Sequence, residues 1–140
     1  MKLLADAVRL RARQRCEYCL LPQGAFQRLF EIEHILARQH GGAASFDNLA
    51  LACGQCNLKK GPNLAGIDPS TGLLTRLFSP RTDSWIDHFS VSNTRSIGLE
   101  INGTTSIGRT TEYVLGMNEA VRPMLRLRLN REPQYRWPGV

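Results

Sequence analysis

Hydrophobic positions near the start of the chain recur at helical spacing. Leu3, Leu4, Val8 and Ala12 fall along one side, with Lys2, Asp6, Arg9 and Arg13 largely elsewhere, which predicts a short amphipathic helix over residues 2–14. Over residues 26–35, FQRLFEIEHI, Phe26, Phe30 and Ile32 are the apolar points of a predicted strand. A second strand is predicted at LALAC, residues 49–53, and a short helix at NLKKG, stopped by Gly61 and Pro62. The intervening ARQHGGAASFDN carries a Gly41-Gly42 pair and a Ser45-Phe46-Asp47-Asn48 cluster, both turn chemistry. The first half therefore reads strand, loop, strand, helix.

The second half is more broken. Pro69, Gly72 and Pro80 interrupt GIDPSTGLLTRLFSPRTDSWIDHFSV, which is expected to wrap over the first half. SIGLEINGTTSIG predicts a hairpin turning at Asn102-Gly103, because that dipeptide suits the left-handed backbone of a two-residue turn. RTTEYVLGMN reads as a helix, EAVRPMLRLRLN as another starting or interrupted near Pro123, and REPQYRWPGV as irregular. The division expected is a core at residues 1–66 and an α+β extension at 67–140 packed on it.

Composition changes this picture in one respect. Lysine and arginine number 18 against 12 acids, a formal charge of +6. That balance suits a polyanionic partner such as nucleic acid, and equally a mildly basic soluble protein. No apolar run approaches the roughly 20 residues that cross a bilayer. Asp6, Arg9 and Arg11 break up any signal-peptide core, so a cytoplasmic protein with no membrane partner is expected.

Aromatic residues make up only 7% of the chain, leaving few large anchors, and small cores of this kind often rely on metal or disulfides. The cysteines form two pairs, Cys16-x-x-Cys19 and Cys53-x-x-Cys56, one at each end of the strand–loop–strand unit. In a reducing compartment this arrangement points to metal before disulfide. Four thiolates make a closed tetrahedral zinc site, structural rather than catalytic. Buried free cysteines and a redox C-x-x-C are the competing readings.

Between the pairs, EIEHI sets Glu33 directly before His34. Side chains alternate along a regular strand, so Phe30, Ile32 and His34 share one face and Glu33 points to the other. Both can serve one site only if the strand twists or ends there. Taken alone, His34 is more simply a surface or core histidine, Asn48 a turn cap, and Asn57 a helix N-cap.

In order, IEHILARQHGG, DNLALAC and CNLKKG resemble the three-part signature of the HNH endonuclease family in its four-cysteine, zinc-bearing form. The resemblance covers residues 16–61. It implies a zinc-stabilised ββα-metal core, a hairpin packed on a short helix around one divalent cation, within an α+β protein. It implies that His34 is the general base that activates water, that Glu33 binds the catalytic cation where aspartate is usual, that Asn48 pins the loop after the base, and that Asn57 completes the metal site. Oxygen ligands from Glu33 and Asn57 suit Mg²⁺ or Mn²⁺, whereas the thiolates suit Zn²⁺. The substrate expected is DNA, with RNA kept open, and Lys59, Lys60 and Arg38 are candidates for phosphate contact. A non-catalytic zinc module that binds nucleic acid is the alternative. Outside the signature, His40 is expected to be a solvated loop residue and His88 to pack beside Trp85 and Phe89. Arg122, Arg126, Arg128 and Arg131 form either a basic stripe along a duplex or part of an element with one buried face.

Overall fold

The first helix is shorter than its apolar spacing predicts. In the computed structural model, which describes residues 2–140, α1 spans Lys2–Arg11. It stops because Arg13 and Gln14 adopt left-handed backbone, with φ of 54° and 58°. Its buried residue is Val8, while Leu3 and Leu10 are exposed. The predicted apolar side is thus only partly used.

The hairpin follows. Strand β1 covers only Glu31–His34, and β2 covers Leu49–Ala52. They pair antiparallel, with Glu33 opposite Ala50 and His34 opposite Leu49. The expected strand over 26–35 fails at its start because the Gln23 side chain takes up backbone groups there. Gln23 Oε1 accepts from Phe30 N at 2.6 Å, and its Nε2 donates to Arg28 O at 2.9 Å. Phe26 and Phe30 then meet ring to ring at 5.4 Å instead of alternating along a ladder. Helix α2 runs Gly54–Lys60 and ends at Gly61, whose φ is 51°.

Two compact units divide the chain. One comprises residues up to Leu64 together with Ser79–Thr82, and the other comprises Ala65–Phe78 with Asp83–Val140. In the first unit, all four β2 residues are buried, and Tyr18, Leu21 and Phe30 join them in the core.

The second unit contains two antiparallel hairpins. The first, β3 (Ala65–Ile67) with β4 (Leu74–Arg76), lies where only irregular chain is expected. Its strands are three residues each, too short to show a period. Asp68 organises its turn. The buried carboxylate accepts from Ser70 N at 2.9 Å, Thr71 Oγ1 at 3.2 Å, and Arg109 Nε and a terminal guanidinium nitrogen at 3.1 and 2.9 Å.

A short helix, α3 (Trp85–His88), leads into β5 (Phe89–Thr94), which pairs with β6 (Gly98–Gly103). The reversal falls at residues 95–97, closed by Ile97 N donating to Thr94 O at 2.9 Å. Asn102 and Gly103 are therefore strand residues, opposite Ser90 and Phe89. Glycine is needed at 103 for a different reason: a Cβ there would lie 2.2 Å from Arg109 N, in helix α4 (Ser106–Leu115). A close helix crossing, not a turn, selects the residue that misleads the sequence reading.

Helix α5 spans Arg122–Leu129, with Pro123 in its first turn. Of the two readings of its arginines, a basic stripe or an element with one buried face, the structure supports the second. Arg126 is fully buried, its guanidinium donating to Leu99 O at 3.0 Å and to Met117 O, and Arg122 is also buried. Only Arg128 and Arg131 remain exposed. His88 packs edge-on against Phe78 at 6.0 Å and meets Thr105 Oγ1 at 2.7 Å, while Trp85 lies against Phe89. No helix among the described residues is long and apolar enough to cross a membrane.

The Arg109 guanidinium and the turn donors hold the Asp68 carboxyl down at about 2. Because the folded value lies below the ordinary one, its stabilisation is present above about pH 4 and is lost as pH falls toward 2. Both tryptophans, Trp85 and Trp137, belong to the second unit, so their fluorescence reports its unfolding. Asp68→Asn is expected to lower the urea midpoint at neutral pH and to flatten its decline between about pH 4 and pH 2. An unchanged acid dependence would remove Asp68 from this role.

Candidate active site

Two chain segments bring four thiols together. The Cys16–Cys19 turn closes through Leu20 N donating to Cys16 O and Cys16 N donating to Leu21 O, both at 2.9 Å. Leu20 supplies the left-handed residue this reversal requires, at φ 64°. Glu17 docks the turn on the hairpin: its N donates to Leu51 O, and its carboxylate accepts from Leu51 N, each at 2.8 Å. Arg81, from the 79–82 segment of the same unit, pairs with the other oxygen of Glu17.

Cys53 and Cys56 come from the β2–α2 junction. Cys53 is the helix N-cap, its sulfur accepting from Cys56 N at 3.5 Å. The four sulfurs lie within 4.8 Å of one another, all buried. Cys19 and Cys53 sulfurs are 3.7 Å apart. Tetrahedral bonds of about 2.3 Å place sulfurs about 3.8 Å apart, so the Cys19–Cys53 spacing matches a zinc site and the whole cluster lies within reach of one ion. Burial pushes the Cys16 thiol up, while a hydrogen bond from Cys16 holds the Cys19 thiol down.

The other candidate residues meet at the loop end of the hairpin. Glu33, His34, Arg38 and Asn57 line one surface hollow of about 310 Å³. Strand β1 ends at His34, and that end lets neighbouring residues serve the same hollow. Within the strand alternation persists, but the buried position is Glu33, not Ile32. Tyr18 Oη donates to Glu33 Oε2 at 2.7 Å. Lys60 Nζ lies 2.5 Å from Oε1 as an ion pair, though not aligned as a hydrogen bond. Burial raises the Glu33 carboxyl above its ordinary value, against the pull of Lys60.

His34 is half-buried and takes a long contact, 3.4 Å, from Arg38 Nε onto its Nε2. Partial burial and the charges of Arg38 and Lys60 hold its pKa below 6.5, so the neutral imidazole prevails at neutral pH. Asn48 binds the following loop three ways. Its Oδ1 accepts from Leu36 N at 2.9 Å, and its Nδ2 donates to Leu36 O at 3.0 Å and Ala43 O at 2.9 Å. Gly42 is obligatory in this clamp, since a Cβ would lie 1.7 Å from Leu36 O.

Asn57 sits inside α2, not at its cap, which Cys53 occupies. Lys59 lines a neighbouring hollow with Arg28, Glu31 and Gln55, and Arg38 is exposed. Lys60, expected at phosphate, is instead turned inward. It is 2% exposed and donates to His34 O at 3.3 Å and Ile35 O at 3.0 Å. Two residues that the sequence reading passed over, Tyr18 and Glu17, support the site. Both stand between the two cysteines of CEYC, which is their sequence signal.

Residues 16–63 match the family described as HNH endonuclease. This segment is an HNH domain. The domain supports nuclease activity in general and implies a nucleic-acid substrate. No curated protein and no solved structure matches the chain.

Zinc is expected at about one ion per chain, and metal-free protein should lose the first unit's fold. Cys53→Ser removes both a metal ligand and the α2 cap, so it should give insoluble or unfolded protein with no bound zinc. Elemental analysis of folded parent protein checks this, and absence of zinc from a folded parent would exclude the role.

Proposed function

We propose that this hollow is the active site of an endonuclease that hydrolyses phosphodiester bonds in DNA. The observation that carries the reading is the convergence of Glu33, His34 and Asn57 on one hollow within the HNH domain. In this reading the neutral His34 imidazole accepts a proton from the attacking water, a task suited to a group titrating close to neutrality. Its Nε2 becomes available when the weak Arg38 contact opens, and Arg38 then meets a phosphate oxygen. Asn48 fixes the loop that aims the imidazole.

A hard divalent cation fits the remaining donors. Glu33 Oε1 is a buried acceptor without an aligned hydrogen bond, and among the described residues the Asn57 side-chain amide, on the wall of the hollow, makes no hydrogen bond. Glu33 and Asn57 would hold Mg²⁺ or Mn²⁺, which when bound supplies charge stabilisation at the phosphate and leaving oxygen. Lys59 and Arg38 serve as phosphate contacts beside the hollow.

One observation favours the alternative of a non-catalytic zinc module that binds nucleic acid: the Glu33 carboxylate is already engaged by Lys60 and Tyr18. Plasmid nicking with and without Mg²⁺ separates the readings. His34→Ala is expected to lower the nicking rate about 100-fold to 10,000-fold while retaining zinc and DNA affinity. Parental cleavage by that variant, with contaminating nuclease excluded, would end the general-base assignment. Asn57→Ala should keep zinc and helix α2, because Cys53 caps it, yet require more Mg²⁺ for half-maximal rate. An unchanged Mg²⁺ midpoint would exclude Asn57 as a ligand.

A further inference from the structure

Lys60 is a buried, multiply held lysine in the first unit, and phosphate binding does not account for it. Its side chain is 3% exposed, and its ammonium has three partners: Glu33 Oε1 at 2.5 Å, Ile35 O at 3.0 Å and His34 O at 3.3 Å. Two of its donors meet backbone carbonyls, and the contact with the carboxylate is an ion pair. The other Glu33 oxygen is held by Tyr18 Oη. Oε1 is the carboxylate oxygen without an aligned hydrogen bond, and a positive charge already sits against it.

A divalent ion binds a carboxylate oxygen at roughly 2.1 Å for Mg²⁺. With Lys60 Nζ 2.5 Å from that same oxygen, two cations would share one buried carboxylate. Their repulsion is weakly screened, because Glu33 and Lys60 side chains are only 4% and 3% exposed. The ammonium has somewhere to go. The carbonyls of His34 and Ile35 can keep it anchored when the contact with Oε1 lengthens.

We propose that Lys60 is a tethered competitor for the divalent cation, so that metal binding at Glu33 occurs at the expense of the Lys60–Glu33 ion pair. The proposal rests on the active-site reading above and adds a determinant of its metal affinity. Helix α2 then carries both sides of the balance, with Asn57 on the metal's side and Lys60 against it. Lys60 touches neither water nor substrate in this scheme and acts through Glu33.

The test is Mn²⁺ binding to zinc-loaded protein, followed by electron paramagnetic resonance of the free ion. Lys60→Met keeps the side-chain length without the charge, and is expected to bind Mn²⁺ at least about tenfold more tightly than the parent. Glu33→Gln should abolish that binding in both backgrounds. Because the methionine variant leaves buried acceptors unpaired and can fail to fold, a second measurement uses the parent alone. The Lys60 side-chain ¹⁵Nζ resonance should shift or lose its protection from solvent exchange as Mg²⁺ is titrated in. Equal or weaker Mn²⁺ binding by folded Lys60→Met, or a Lys60 resonance that stays unmoved as Mg²⁺ reaches saturation, would overturn the proposal. Mg²⁺-dependent nicking by the parent tests the nuclease reading separately. A parent that nicks without any Lys60 effect removes only the competition, and competition in a protein that does not nick removes only the nuclease reading.

Discussion

Four sulfur atoms from two distant segments must lie within 4.8 Å of one another, and the geometry of the first unit follows from that requirement. One pair fixes a tight reversal just after α1, and the other fixes the point where β2 becomes α2. Joining them closes the chain into a ring whose middle is the β1–β2 hairpin. A core with few aromatic anchors gains little from burial alone, so a metal bond of the strength seen in small zinc domains is the natural closure. Cys53 joins the thiol cluster and the helix in one residue, since its sulfur also caps α2. Asn57 and Lys60 take their places from that helix, and therefore depend on the cluster.

Most of this unit was legible in the sequence because its signals are covalent or periodic. Paired cysteines announce themselves by spacing, and the residues of EIEHI, DNL and CNLKK appear in a fixed order. The structure brings Glu33, His34 and Asn57 to one hollow and ties Asn48 to the loop beyond His34. The direction of Lys60 was not legible. A lysine at the end of a short helix reads as solvated, and only the tertiary position of Glu33 turns it inward. Likewise Tyr18 gave no sign of its bond to Glu33, since the two are joined only by the folding of the hairpin.

The second unit was read less well, for identifiable reasons. Asn102-Gly103 has the composition of a turn, yet Gly103 is needed for contact with α4, so steric demand imitated backbone demand. The arginines of α5 suited a surface stripe and a buried face equally, and it is the tertiary position of Arg126, satisfying backbone carbonyls at Leu99 and Met117 in the interior, that decides. The β3–β4 hairpin depends on Asp68 gathering four donors, one pair of which comes from a helix some forty residues later. None of these constraints is local, and periodicity does not record them.

Residues 79–82 bear on inheritance rather than on chemistry. They belong with the first unit, where Arg81 meets Glu17, although the chain before and after them belongs to the second. The unit that carries the HNH match is therefore not one continuous stretch of gene. A recombination that joined residues 1–64 to some other sequence would leave Glu17 without its arginine, and so weaken the anchor between the cysteine turn and β2. In descent, the two halves are expected to travel together.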